Sequence, residues 1–421
     1  MDQEPRLIKL VQITTVPESL HFSTWLTPYI KAKGFDVHAL SSPGEYLRTY
    51  GERYGVPIHK VEMLRCITPL RDLGAIFRIW RCLRQIRPEI VHGCTPKGGL
   101  LGMIGAWLAG VPLRIYHIYG FPSVTATGLK CVLLRWSKKV ACLLAHQVLC
   151  LSERNRELAV EEGLCPAAKI GISGFPNGVD ARGRFNPASI EADTRRETRA
   201  NYGIPDSALV MSFVGRIVRD KGLVELTSAW QILREEFPTL HLLVAGSFEP
   251  YDPVPPDVEH VLRTDSRIHL AGYVDNPVPI YAVTDVFAFP TYREGFCLVA
   301  VEAAAMELPV VATRISGVVE AVQDGVTGTL VPPRDAEALA GAVRTYLNDP
   351  DLRRRHGCAG RDPVLRDFDP ETLCQEMHQE YVRLLREKGL PIPEPVSGSV
   401  EMSSTSQKSV AAVGRIIGSS G

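Results

Sequence analysis

Two glutamates and two cations are the residues of this chain best placed to do chemistry. Residues 291–302 read TYREGFCLVAVE, with Glu294 before an apolar helical run and Glu302 about a turn and a half inside it. The apolar run VFAFP before them has the pattern of a strand. A strand-to-helix turn leaves the first helical N–H groups without partners, and these attract anions. Gly295 lets backbone come close to a ligand. A phosphate would take the amides, and two carboxylates would take sugar hydroxyls. From the pattern alone, a capped surface helix with two solvated acids stays open beside that reading.

The cations lie earlier. Residues 214–216 (VGR) end one strand pattern and residues 220–222 (DKG) open the next helix. Two cations at a strand's carboxyl end suit a diphosphate, because each donates charge-assisted hydrogen bonds to phosphate oxygens. Singly, Arg216 and Lys221 read as surface charges. With Gly215 and the glutamate segment they describe a site for a nucleoside diphosphate bearing a sugar.

The elements that must position these groups alternate along the whole chain. Strand patterns at 7–13, 35–40, 89–92, 113–118 and 147–151 are separated by helical patterns at 19–33, 71–87, 98–109 and 128–146. A second series has strands at 209–214, 241–245, 267–271, 286–290, 309–312 and 329–331, with helices at 222–236, 276–283, 297–307, 335–347 and 370–387. Such alternation predicts parallel sheets covered on both faces. The fold class is therefore α/β, with two facing Rossmann-like doubly wound domains, a C-terminal helix and a disordered tail. The predicted domains are 1–185 and 186–390, joined within 180–206, and the Ser- and Gly-rich tail spans 391–421. Ligands of such sheets bind beyond the carboxyl ends of the strands, so the cleft between the units is the natural site.

At the level of motifs, GRIVRDKG, EGFCLVAVE and PVVATRISGVVEAVQDGVTGTLVPP resemble the retaining glycosyltransferases of family 4, which have the GT-B fold. Glu294 and Glu302 match that family's E-x7-E motif. The resemblance runs from about residue 9 to 385 and includes HGCTPKGGLLG in the first half. FEPYDPVPP and GYVDNPVPIYAVTDVFAFPTYREGF are similar to the branch that builds surface polysaccharides on polyprenyl-diphosphate carriers. The resemblance implies a UDP-linked donor, commonly an N-acetylhexosamine, and transfer to a lipid-linked saccharide with retention and without a metal. It implies that Arg216 and Lys221 hold the donor diphosphate and that Glu302 binds the ribose. Glu294 and the backbone of Gly295, Phe296, Cys297 and Leu298 would hold the donor sugar and phosphate. Lys97 in CTPKGG would face the cleft from the acceptor half. Asn177 in PNGVD matches a family motif at the domain junction, where a plain Asn-Gly turn is the other reading.

Two departures stand out. Many relatives place His before Gly where this chain has Tyr119-Gly120, and His117 lies two residues earlier, on the same side of the strand. Either His117 substitutes as a catalytic group or it is an ordinary core histidine. The first loop, residues 14–19 (TTVPES), lacks the paired glycines of many relatives. Metal ligation is not expected: Asp349-Pro350-Asp351 is formally D-x-D but sits in a polar junction between helical patterns. P-loop and dinucleotide fingerprints are absent from the sequence. The competing readings are a nucleotide-sugar epimerase or phosphorylase on the same architecture, and an inactive scaffold that binds a partner enzyme.

Composition narrows the setting. Hydrophobic residues are 45% and charged residues 22%, the balance of a globular enzyme, and 47 basic against 47 acidic residues argue against a nucleic-acid partner. The charge is uneven: residues 1–180 hold 22 Lys/Arg and 14 Asp/Glu, an excess of eight positive charges. Ten cysteines without CxxC spacing suggest reduced core thiols and a cytoplasmic setting. Residues 71–87 and 128–146 combine apolar helical stripes with Arg78, Arg81, Arg84, Lys130, Arg135, Lys138 and Lys139. The expectation is an apolar stripe buried in the core and a basic excess held on the anionic inner face of the cell membrane.

Overall fold

Apolar runs such as VFAF, and LHLLVA with His241 as its single polar residue, have no polar face to offer water, so they fold as strands covered on both sides. In the computed structural model, which describes residues 7–395 except 67, 175, 176 and 251, these runs form two wholly parallel sheets. The first contains β1 (Ile8–Ile13), β2 (Phe35–Ser41), β3 (Ile58–Lys60), β4 (Ile90–Cys94), β5 (Leu113–Ile118), β6 (Gln147–Cys150) and β7 (Ile170–Ile172). The second contains β8 (Leu209–Val214), β9 (Leu240–Ala245), β10 (Ile268–Gly272), β11 (Val286–Phe289), β12 (Val310–Thr313) and β13 (Gly328–Val331). Their orders are β3-β2-β1-β4-β5-β6-β7 and β10-β9-β8-β11-β12-β13, so each unit is doubly wound. Each order reverses once, between β1 and β4 and between β8 and β11. A crevice opens beyond the strand ends at those two points.

Alternation along β1 shows how the first sheet is covered. Val11 and Ile13 face a core with Ile79, Leu83, Leu101 and Met103, whereas Ile8 and Leu10 face one with Phe35, Met377, Tyr381 and Leu385. The latter three belong to the helix Pro370–Glu387. The last helix therefore lies in the core of the first unit, although sequence order groups it with the second. Between the units the chain crosses twice, at residues 177–181 and 368–370, and the crossings touch: the Val179 amide donates to Phe368 O at 2.8 Å. Gly178 has φ +52°, and a Cβ there would stand 2.5 Å from Phe368 O. Glycine is required at that spot. Arg361 ties the junction by donating to the carbonyls of Ala181 (2.6 Å) and Phe185 (3.1 Å).

One expectation needs correction. The helices Pro69–Ile86 and Gly128–Leu144 bury only part of their apolar residues: Ala75, Ile79, Leu83, Ala141 and Cys142 are inside. Leu70, Leu73, Phe77, Leu129, Val132, Leu133 and Trp136 are exposed. The helix Pro96–Leu108 is buried along most of its length but ends in exposed Trp107 and Leu108. The expected tail from 391 falls, beyond 395, outside the described residues.

Leu385 is fully buried on the last helix. Leu385→Ala is expected to cost about 2–5 kcal/mol, the range for truncating a buried leucine. Hydrogen exchange should show the loss in β1 and β2 of the first unit and leave β8 and β9 protected. Loss confined to the second unit would contradict this packing.

Candidate active site

A short polar turn follows β8 and leads through Gly222 into the helix Leu223–Glu236. Gly222 has φ +73°, and a Cβ there would fall 1.9 Å from Pro290 O, so only glycine lets this helix start against the end of β11. That approach sets Lys221 beside Glu294. Lys221 Nζ donates to Glu294 Oε1, and Thr291 Oγ1 donates to the same oxygen at 3.0 Å. The two side chains are 15% and 13% exposed, so the pair is largely withdrawn from water but open on one side. The Tyr292 amide donates to Asp220 O at 2.9 Å and Arg293 pairs with Asp220, which staples the two loops together.

Glu302 lies on the helix Leu298–Ala305 and accepts from Tyr281 OH at 2.9 Å. Part of its surface is open, yet protein crowds it on most sides, and burial pushes its carboxyl up to about 7. The thiol of Cys297, fully buried and pushed up by burial, feels Glu294, Lys221 and Glu302 together. The structure thus gathers the three predicted groups around one turn.

Arg216 is the most exposed of the set, with its side chain 53% accessible, and pairs with Glu249 at 3.0 Å. Arg65 of the first unit reaches the same carboxylate at 3.8 Å. The amides expected to meet phosphate are partly committed. Cys297 donates to Gly317 O at 2.7 Å and Leu298 to Phe296 O at 3.1 Å.

Across the cleft the first unit touches the turn directly. A Cβ on Gly295 would stand 1.6 Å from Tyr119 O, and Gly120 faces Gly295 Cα. Asn155, fully buried, donates to Gly295 O and accepts from Ser316 Oγ at 2.8 Å. Sequence reasoning missed Asn155; its signal was Ser152 at a strand end, whose Oγ accepts from the Asn155 amide and starts the helix Glu153–Glu161.

Other expected residues stand elsewhere. His117 is fully buried, stacked on His92 at 5.4 Å and under the edge of Tyr119, so it is not a cleft-facing group. Tyr119 separates it from the cleft. Lys97 donates to Cys66 O at 2.6 Å and pairs with Asp72 at 2.7 Å, holding the start of the helix Pro69–Ile86 instead of facing a ligand. Asn177 accepts from Thr24 Oγ1 at 2.7 Å and the Trp25 amide at 3.3 Å, so it clips the junction to the first unit; Pro176 beside it lies outside the described residues. Asp349 caps the helix Pro350–Asp367 by accepting from the Leu352 amide, and Asp351 pairs with Arg354. The D-x-D is a helix start.

Comparison with known proteins identifies the family and the fold. Residues 208–349 match the family described as glycosyl transferases group 1, and residues 23–173 match the glycosyl transferase 4-like domain. The capsular polysaccharide biosynthesis glycosyltransferase CapM of Staphylococcus aureus is 30% identical over 381 residues, covering 90% of this chain and 98% of its own. The chain belongs to the family 4-like glycosyltransferases. An Escherichia coli UDP-Gal:alpha-D-GlcNAc-diphosphoundecaprenol alpha-1,3-galactosyltransferase is 26% identical over 84% of this glycosyltransferase and 90% of its own chain. The fold matches that of Anabaena Alr3699/HepE in complex with UDP and glucose, with TM-score 0.73 and 18% identity over 89% of this chain and 99% of the other. The architecture is GT-B.

Glu302 makes the site testable without a substrate. An acid whose folded pKa is raised loses stability as pH climbs from its unfolded value of 4.5 towards about 7. Glu302→Gln keeps an acceptor for Tyr281 and removes the buried charge. Its melting temperature is expected to exceed that of the parent glycosyltransferase by a few degrees at about pH 8, with little difference near pH 4.5. A variant that melts lower at the higher pH would show that the carboxylate is stabilising.

Proposed function

We propose that this glycosyltransferase moves a sugar, an N-acetylhexosamine, from a UDP-linked donor to a polyprenyl-diphosphate-linked saccharide in surface polysaccharide biosynthesis, with retention at the anomeric carbon. The observation that carries this is the Lys221–Glu294 pair, open on one side, at the reversal point of the second sheet and opposite Tyr119-Gly120. On this reading the donor diphosphate takes Lys221 and draws Arg216 away from Glu249. Freed of Lys221, Glu294 accepts from sugar hydroxyls, and Glu302 accepts from the ribose. As the glycosidic bond breaks, charge grows on the departing diphosphate, and cations already in place stabilise it. The acceptor hydroxyl attacks from the same face and passes its proton to that phosphate. Counter-charge comes from Arg216 and Lys221, so the reaction needs no metal ion. The names of the E. coli and S. aureus relatives, with their lipid diphosphate and capsule, support the acceptor class.

The first unit suits that acceptor. Its exposed Leu70, Leu73, Phe77, Leu129, Val132 and Trp136 lie on two helices that also carry exposed Arg78, Arg81, Lys130, Arg135 and Lys139. Both helices pack on the helix Pro96–Leu108. Among the described residues, no helix is long and apolar enough to cross a membrane. An apolar surface fringed by cations fits the boundary of an anionic leaflet, where each nearby cation adds about 1 kcal/mol. Peripheral attachment at the inner face of the cell membrane follows.

Two measurements test these readings. Arg216→Ala and Lys221→Ala should each lower turnover with UDP-sugar by about 10²–10³, the scale for one preorganised charge donor, in protein still folded at the assay temperature, with Lys221→Ala melting lower because it leaves Glu294 unpaired. Full activity in both would sink the diphosphate assignment. In vesicle sedimentation, the protein should pellet with anionic lipid, and Phe77→Glu with Trp136→Glu should release it. Pelleting that ignores both lipid charge and these substitutions would exclude this surface.

A further inference from the structure

The reversal point of the first sheet holds a second constellation that sugar transfer does not use. Parallel pairing sets Cys94 of β4 opposite His117 of β5, and Gln12 of β1 opposite His92 of β4. Two-residue alternation puts His92 and Cys94 on one face, with His117 beside them. One ligand atom from each of His92, Cys94 and His117 lies within 4.8 Å of the others, and all three residues are buried. Such a cluster is expensive to leave unfilled. Among the described residues, no hydrogen-bond partner reaches His92 Nε2, Gln12 Oε1 or either His117 nitrogen in good geometry, although the Ser173 backbone lies close to His117. Each orphaned buried polar atom costs about 1–3 kcal/mol.

From this placement we propose that His92, Cys94 and His117 bind a borderline-soft divalent cation, Zn²⁺, with Gln12 Oε1 or a water in the fourth position. Two imidazoles and a thiolate are the donor set that selects zinc over the hard oxygen-seeking cations. Ligand atoms around tetrahedral zinc are about 3.3–3.8 Å apart, as bonds of about 2.0–2.3 Å require, so the site must tighten by about 1 Å. The outer partners fit. His92 Nδ1 is 2.6 Å from Tyr381 OH, a hydroxyl that can accept from Nδ1–H and so leave Nε2 as the ligand, and Tyr119 hydrogen-bonds Cys94. The Cys94 thiol loses its proton to solvent as the ion binds. Tyr119, partly exposed at the cleft, marks the way in. Because Tyr119 O abuts Gly295, the ion would brace the strand end on which the donor turn rests.

The test uses the full chain, stripped with chelator and titrated with Co²⁺, whose thiolate complexes absorb strongly in the near ultraviolet. One equivalent per chain should give a sulfur-to-cobalt band that Zn²⁺ displaces. Cys94→Ala should lose the band, and the double variant Cys66→Ser/Cys358→Ser, which removes the two exposed thiols, should keep it. Tyr381→Phe should weaken Zn²⁺ by about 10–100-fold. X-ray absorption of the zinc-loaded parent chain, which needs no variant to fold, should show one sulfur and two imidazoles. A missing band, a band lost with the surface thiols, unchanged affinity in Tyr381→Phe, or a shell without sulfur would each overturn the proposal. None of these readings depends on transferase turnover, so they fail or hold apart from the sugar-transfer reading.

Discussion

The contact on which the site depends is the ion pair between Lys221 and Glu294. It joins two loops that belong to different strands of the second sheet, β8 and β11, and it does so where the strand order reverses. Taking both charges most of the way out of water has a cost that their attraction offsets only while both are present. That is why so much around them is fixed: the glycine at 222 that admits Pro290, the Thr291 hydroxyl on the carboxylate, and the Asp220–Arg293 staple. A diphosphate entering this pair meets a cation already oriented, which spares the reorganisation that a solvated lysine would undergo.

The two units meet at the same turn through backbone. Tyr119 O lies where a side chain on Gly295 would have to stand, and the Asn155 amide group binds Gly295 O and Ser316 together. The Tyr119–Gly295 contact is backbone on backbone and has no rotamers to explore, and the Asn155 and Ser316 side chains bond across beside it. The covalent links between the units, at Gly178 and Phe368, run side by side.

Much of this was legible in the residues. Strand runs such as 113–118 and 209–214 match β5 and β8 end to end, because an apolar run buried on both faces has no other place to go. The short edge strands Ile58–Lys60 and Ile170–Ile172 and the polar helices Glu45–Tyr54 and Ala192–Asn201 were not, because their patterns are weak and packing decides them. In the site, charge and spacing pointed to Glu294, Glu302 and Lys221, which the fold gathers around Cys297. His117 and Lys97 misled for one reason: a sequence shows that a side chain sits at a strand end but not which neighbour has claimed it. Stacking on His92 holds one, and Asp72 holds the other. The exposed face of Leu73, Phe77 and Trp136 was hidden by the same ambiguity, since a helical stripe says nothing about what lies against it.

The placement of the last helix also sets an order of events on the ribosome. Met377, Tyr381 and Leu385 complete the cover of one face of the first sheet, yet they are made after the entire second unit. At about 5–20 residues per second, the roughly 200 residues after the first crossing take on the order of ten to forty seconds to emerge. Throughout that interval the nascent first half carries an apolar face covered only in part, by Leu20, Leu26, Ile30, Leu47 and Tyr50. The second unit, whose core is contiguous in sequence, has no such delay. A growing chain built this way completes the core of its first unit only when its final helix closes over strands made long before.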